Sequence, residues 1–196
     1  MKTAVLGNGE SRQHLDLNSL KTDHIIVGCN AIHRDTVVDH LICCDRRMAE
    51  EATVGCPAET LIYVREDWYH YFRKIKKNKS IRQVPDLPYK SIDRQDQPFH
   101  WGSGAYAVLL ASNLDPSEIH LYGFDLYPIN NKVNNIYKGT SNYAAPDSQS
   151  VDPSYWIYQI SKIFDSFTDK QYIIHNYKDW IIPKEWQKNN VSFVAI

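Results

Sequence analysis

Several short stretches bring hydrogen-bonding side chains or free backbone amides to places where they could handle a ligand. "AVLGNGESR" at residues 4–12 ends an apolar run in Gly7-Asn8-Gly9, with Ser11 just beyond. Glycines at 7 and 9 let backbone amides approach a ligand closely, and Asn8 donates and accepts without bringing negative charge to a phosphate. The same glycines also suit a tight turn with no ligand, and this stretch alone does not separate the two readings. Asn30 closes "HIIVGCN" and offers the same neutral, two-way hydrogen bonding, while Asp45 closes "HLICCD". Gly102-Ser103-Gly104 opens a long apolar stretch. At a helix start this "GSG" presents free N–H groups and the positive end of the dipole, a seat for a phosphate or carboxylate. A serine cap with glycines for close packing reads the same way. "EIHLYGFDLY" ends in Gly123-Phe124-Asp125, with Tyr127 next.

The same residues exclude other chemistry. The first turn lacks the third glycine of a dinucleotide loop, because position 12 is Arg, and Asn30 stands where an acidic residue would hold the ribose. An NAD site is therefore disfavoured. "CCDRR" and "GFDLY" each supply one aspartate and no carboxylate pair, so transfer without a metal is expected, with no bound cofactor. Cys29, Cys43, Cys44 and Cys56 show no CxxC and no paired histidine spacing, which argues against zinc and thiol redox chemistry. They read as small buried hydrophobes, with Cys43 and Cys44 on opposite faces of a strand. Net charge is −1, with 22 Lys+Arg against 23 Asp+Glu, so no global field favours nucleic acid or an anionic membrane. The basic cluster from Arg73 to Lys79 reads as a solvated helix face. No apolar run is long enough to span a membrane and no leader pattern opens the chain, so a cytoplasmic protein is expected.

The elements that must position these residues alternate between β-branched apolar runs and helical patterns. That is the mark of a mostly parallel, open α/β sheet with helices on both faces. "TAVLG", "HIIVGCN", "HLICCD", "TLIYVRE", "EIHLYGFD" and "YIIHNY" read as strands, and "VSFVAI" as a further edge segment. "RRMAEEA" and "WYHYFRKIKK" read as helices, and "SGAYAVLLASN" as a helix apolar nearly all round, hence buried. "DPSYWIYQISKIFDSF" reads as a helix with Asp152 as its cap and Pro153 at its first position. Residues 78–100 read as a long loop. Residues 126–150, rich in Asn, Ser, Gly and Tyr, read as a mobile lid with few packing contacts of its own. The whole of 1–196 reads as one domain. Ligands bind such sheets beyond the carboxyl ends of the strands, where Gly7–Gly9, Asn30, Asp45, Ser103 and Asp125 all fall.

In order and spacing, "LGNGES", "GCNAIHRD", "ICCD" and "WGSGAYAVLLASNLDPSEIHLYGFDLY" resemble the bacterial sialyltransferases of glycosyltransferase family 42. The resemblance covers roughly residues 1–45 and 101–127. It implies a Rossmann-like, glycosyltransferase-A-like domain that transfers a sugar, with inversion and without a metal, from a nucleotide donor, CMP-linked by the family's habit. The acceptor would be a glycan or other hydroxyl compound. The family's tendency to self-associate leaves room for a homo-oligomer. Carried across, Gly7, Asn8, Gly9, Ser11, Asn30, Asp45, Gly102, Ser103 and Gly104 would line the donor site, with Asp45 replacing the family's asparagine. Tyr127 matches a tyrosine that hydrogen-bonds the departing phosphate, and Tyr137 or Tyr143 in the lid would take the place of a second. The family also places a general-base histidine after the lid, and no histidine occurs here between His120 and His175. His100 beside the "GSG" turn is the nearest substitute and Asp125 the next. A non-catalytic nucleotide or nucleotide-sugar binding protein that has lost the base is the alternative, and a small nucleotide hydrolase is a third reading.

Overall fold

Eight strands form one open sheet in the order β5-β4-β3-β2-β1-β6-β7-β8, every neighbouring pair parallel. The computed structural model describes residues 2–77, 79–89 and 101–196. The strands are β1 (Lys2–Leu6), β2 (His24–Cys29), β3 (His40–Ile42), β4 (Leu61–Val64), β5 (Ser80–Gln83), β6 (Glu118–Tyr122), β7 (Gln171–Asn176) and β8 (Val191–Ala195). Their central members are apolar on both sides, as a sheet covered on both faces requires. Ala4 and Leu6 face one core cluster while Val5 faces the other. Cys43 and Cys44 divide in the same way, each buried.

Helices α1 (Leu17–Leu20), α2 (Arg46–Gly55) and α3 (Glu66–Ile75) cover the first face through Leu20, Met48, Ala49, Ala52 and Phe72. On the second face lie α4 (Ser103–Asn113) and α5 (Ser154–Ser166), which meet β1, β2, β3 and β6 through α4 and stack on one another. Nearly every residue of α4 is buried, because its sequence has no polar stripe to turn to water. The expected open parallel α/β sheet with helices on both faces is therefore the observed fold, and every strand pair in it is parallel. No described helix is long and apolar enough to cross a membrane.

Two expectations are corrected. Residues 78–100 are not all loop, since Ser80–Gln83 adds an edge strand to β4. Only Ile81 in it is buried, so an edge strand with one inward side chain left no alternation to read. In α5 the cap position is Pro153, one residue later than expected. Asp152 still serves the helix start by accepting from the Ser154 N–H at 2.9 Å.

Chain order reverses between β1 and β6: from β1 the sheet grows outward to β5, then resumes on β1's other side. The connections diverge there and leave a crevice at the carboxyl ends of the two strands.

Candidate functional site

A cavity of about 400 Å³ fills that crevice. Its floor is the ends of β1, β2, β3 and β6, one wall is the start of α4, and the roof comes from Tyr127–Asn135 and Ser150–Trp156. The size suits a small organic ligand such as a nucleotide.

The first turn is fixed by close backbone packing. A Cβ on Gly7 would stand 2.4 Å from the Gly123 carbonyl, and one on Gly9 would stand 2.3 Å from the Asp125 carboxyl carbon. Four amides of this turn and the residues after it are already engaged. Gly7 N–H donates to the Tyr122 carbonyl at 2.8 Å and Gly9 N–H to the Gly123 carbonyl at 2.9 Å. Glu10 N–H donates to Asn134 Oδ1 and Ser11 N–H to Asp125 Oδ2, each at 2.9 Å. Ser11 Oγ also bonds Asp125, and Asn176 Nδ2 reaches it at 3.4 Å. Asp125 is 4% exposed, so the protein's own carboxylate sits where a ligand anion would meet this turn. Arg12, standing where a dinucleotide loop has glycine, is buried and donates to the Gly7 carbonyl, locking the turn from behind.

The open anion seat is at α4. Its first internal bond runs from Tyr106 N–H to the Gly102 carbonyl, so the N–H groups of Ser103, Gly104 and Ala105 have no carbonyl one turn back within the helix. Gly102, Ser103, Gly104 and Ala105 all line the cavity. Ser103 Oγ accepts from the Cys44 N–H at 3.0 Å, which ties the helix start to the end of β3. Trp101, 2% exposed, also lines the cavity, and its indole Nε1 is buried with no hydrogen-bond partner. Among the described lining residues the positive charge is Arg65, at the carboxyl end of β4. Three amides at a helix start beside an arginine and a waiting indole N–H suit a phosphate.

Across the cavity stand neutral groups. Asn30 is held at φ 53°, in the left-handed region, and its Oδ1 is buried with no partner, an acceptor waiting for a donor. Burial pushes the Cys29 and Cys44 thiols up to about 12, so both present neutral sulfur. Burial, and then the charge of Glu185, raises the Tyr127 phenol above its ordinary value, which keeps it a proton donor at neutral pH. Asp45 is exposed at the mouth and makes no side-chain bond to the helix it begins. Among the described residues, no group of three His, Cys, Asp or Glu side chains is close enough to hold a metal ion.

Gly7, Asn8, Gly9, Asn30, Asp45, Gly102, Ser103, Gly104, Asp125 and Tyr127 thus line one cavity. Ser11 does not join them, because its hydrogen bonds are spent on Asp125. Tyr137 and Tyr143 do not either; 126–150 has few buried residues, as expected, but these two tyrosines are packed by the protein itself. Tyr137 is 4% exposed, accepts from Arg12 Nη2 at 2.9 Å and donates to Asp35 Oδ2. The Tyr143 hydroxyl accepts from Asn8 Nδ2 at 3.0 Å and from the Ala31 N–H at 3.3 Å. Both rings pack into the first-face core, so they anchor the segment rather than wait for a ligand. Ile136 N–H bonds the Asn8 carbonyl, and Lys138 pairs with Glu10. The candidate base His100 lies outside the described residues. Arg65, Trp101, Asn134 and Trp156 were not anticipated. For Arg65 a signal existed, since it closes "TLIYV" just as Asn30 and Asp45 close their strands.

Comparison with models of known families, with curated proteins and with solved structures finds no match to this chain.

Proposed function

We propose that the cavity binds a nucleotide-activated sugar and that the protein transfers the sugar to a hydroxyl acceptor, as its resemblance to the sialyltransferases of family 42 implies. The observation that carries this reading is the start of α4, which lines a cleft at the switch point of a parallel sheet together with Arg65, a guanidinium that also pairs with Asp67 at 3.2 Å. The donor's phosphate sits on the amides of Ser103, Gly104 and Ala105. Asn30 Oδ1 takes a donor such as an exocyclic amino group, which suits the cytidine that the resemblance implies.

In the transfer, the acceptor oxygen forms a bond to the anomeric carbon from the face opposite the phosphate. The bond from that carbon to the phosphate oxygen breaks, and its electron pair leaves with the phosphate. The acceptor's proton passes to Asp125, the buried carboxylate of the cavity wall. The Tyr127 hydroxyl, Arg65 and the helix start stabilise the charge that develops on the leaving group. No step requires a metal ion.

A second reading has an observation of its own. Asp125 already accepts from the Ser11 N–H, the Ser11 hydroxyl and Asn176, so a protein that binds the nucleotide sugar and never turns it over also fits. Kinetics with Tyr127→Phe and Asp125→Asn separate the two. Tyr127→Phe lowers kcat by roughly a hundredfold or more, the scale for one lost oxyanion donor, while nucleotide affinity changes little. Equal turnover by Tyr127→Phe and wild type removes that role. Binding without transfer or hydrolysis by the wild type favours the binding protein.

A further inference from the structure

Beyond β6 the chain runs through Gly123 and Phe124 to Asp125, and at Leu126 the backbone enters the left-handed region, with φ 66°. A leucine rarely adopts it, because its Cβ crowds the carbonyl that follows. Tyr127 N–H donates back to the Asp125 carbonyl at 2.7 Å, two residues away. That bond closes a three-residue γ-turn on Leu126, of the rarer, left-handed and strained kind.

The surrounding protein holds this turn shut. The Asp125 carbonyl also accepts from the Trp180 indole N–H at 2.7 Å, and the Trp180 ring is itself packed on Trp186 and Phe193. The Tyr127 carbonyl accepts from Asn134 Nδ2 at 3.1 Å, and the other end of that amide accepts from Glu10 N–H in the first turn. Leu126 is half-buried and packs against the second-face core. Pro128 comes next and confines Tyr127 to extended backbone. Strain of this kind persists only where the surroundings over-determine it, and it gathers at functional sites. An extended chain would set residues 125 and 127 about 6.6 Å apart. The turn draws their backbones closer, and both side chains line the cavity.

We infer that Leu126 is a positioning residue, held left-handed by Trp180 and Asn134 so that the Tyr127 hydroxyl stands in place before any charge develops on a leaving group. The clamped turn stands on this geometry alone. That Tyr127 meets a leaving phosphate rests on the glycosyl-transfer reading above.

Two substitutions in the full chain separate conformation from packing. Leu126→Ile keeps the volume but is β-branched, which the left-handed region tolerates worst, whereas Leu126→Asn gives up apolar packing and enters that region readily. With CMP-sialic acid as donor and lactose as acceptor, kcat and kcat/KM fall together in Leu126→Ile, to about tenfold or more below Leu126→Asn. Hydrogen exchange at the Tyr127 amide, the donor of the turn, is faster in Leu126→Ile than in Leu126→Asn. An equal or reversed order in either readout is the packing result and overturns the inference. Trp180→Phe keeps a ring and deletes the N–H. It lowers kcat roughly fivefold, the scale of one neutral hydrogen bond, and adds no further loss in a Tyr127→Phe background. The same loss in both backgrounds means that Trp180 does not act through Tyr127, and overturns the inference too. If the wild type transfers no sugar, the transfer reading falls, and the exchange order at Tyr127 alone decides whether the left-handed turn is what holds that residue.

Discussion

Gly9→Ala isolates the contact that fixes the base candidate. Gly9 has φ −65° and ψ 151°, backbone that alanine adopts without strain. In most such positions the exchange stabilises by about 0.4–1 kcal/mol through the unfolded chain. Here the new methyl would stand 2.3 Å from the Asp125 carboxyl carbon and 2.4 Å from Oδ1, so the carboxylate must retreat by about 1 Å to reach ordinary contact. That retreat breaks its bonds to the Ser11 N–H and hydroxyl, each worth about 1.5–3 kcal/mol for a charged acceptor. The net expectation is a loss of about 2–4 kcal/mol in urea unfolding, or roughly 5–15 °C in Tm for a chain of this size. In an Asp125→Ala background the obstacle is gone, and Gly9→Ala becomes neutral or stabilising. The sign reversal across this double-mutant cycle is the signature. Gly9→Ala at or above wild-type stability, or an equal loss in both backgrounds, refutes the reasoning.

Acid weakens the fold through β6 and β7. His120 Nδ1 and His175 Nε2 are 2.9 Å apart, Tyr122 stacks on His175 at 4.2 Å, and His24, Glu118 and Lys2 lie around the pair. Burial, then the charges of His120 and His24, lowers His175 from its ordinary 6.5 to about 4. The unfolded chain therefore takes up a proton that the folded chain resists. Stability is lost as pH falls from about 6.5 to about 4, by at most about 3 kcal/mol, and His175→Gln flattens that part of the stability–pH curve. An unchanged curve in His175→Gln contradicts the assignment. On the other face, Arg34 grips Glu51 at 2.6 Å, Thr140 at 2.7 Å and the Ser141 carbonyl at 2.9 Å. Arg34→Ala speeds hydrogen exchange across residues 137–143 and costs about 1–2 kcal/mol; exchange at the wild-type rate there would mean that Tyr137 and Tyr143 alone hold the segment.

The parallel sheet was legible because β-branched runs and the all-apolar "SGAYAVLLASN" leave few ways to bury themselves, whereas the strand order that sets the switch point was not. Strand-end logic alone places Asn8, Asn30, Asp45, Ser103 and Asp125 at one edge of that sheet. The division of labour between the two glycine turns was not legible. "GNGES" and "GSG" look alike as sequence, yet the Glu10 and Ser11 amides of the first are met by Asn134 and Asp125, more than a hundred residues away, while in the second Gly102 N–H meets Gln159 and the Ser103 and Gly104 amides have no carbonyl one turn back in the helix. The 126–150 segment misled for the same reason. Its polar composition is that of a free loop, but Tyr137 and Tyr143 find Arg12, Asp35 and Asn8 at the far end of the chain. Long-range polar satisfaction leaves no local pattern. Edge strand β5, with Ile81 alone facing inward, left none either.

The proposed function requires the cleft to read a nucleotide through its phosphate, at the start of α4 beside Arg65. Calorimetric titration of the wild type and Arg65→Gln with CMP and with cytidine tests it most directly. CMP should bind the wild type at least about tenfold more tightly than cytidine, since the two differ only in the group that the helix start and Arg65 receive. Arg65→Gln should shrink that preference and leave cytidine affinity where it was. Equal affinity of the wild type for CMP and cytidine, or binding of neither, contradicts the account.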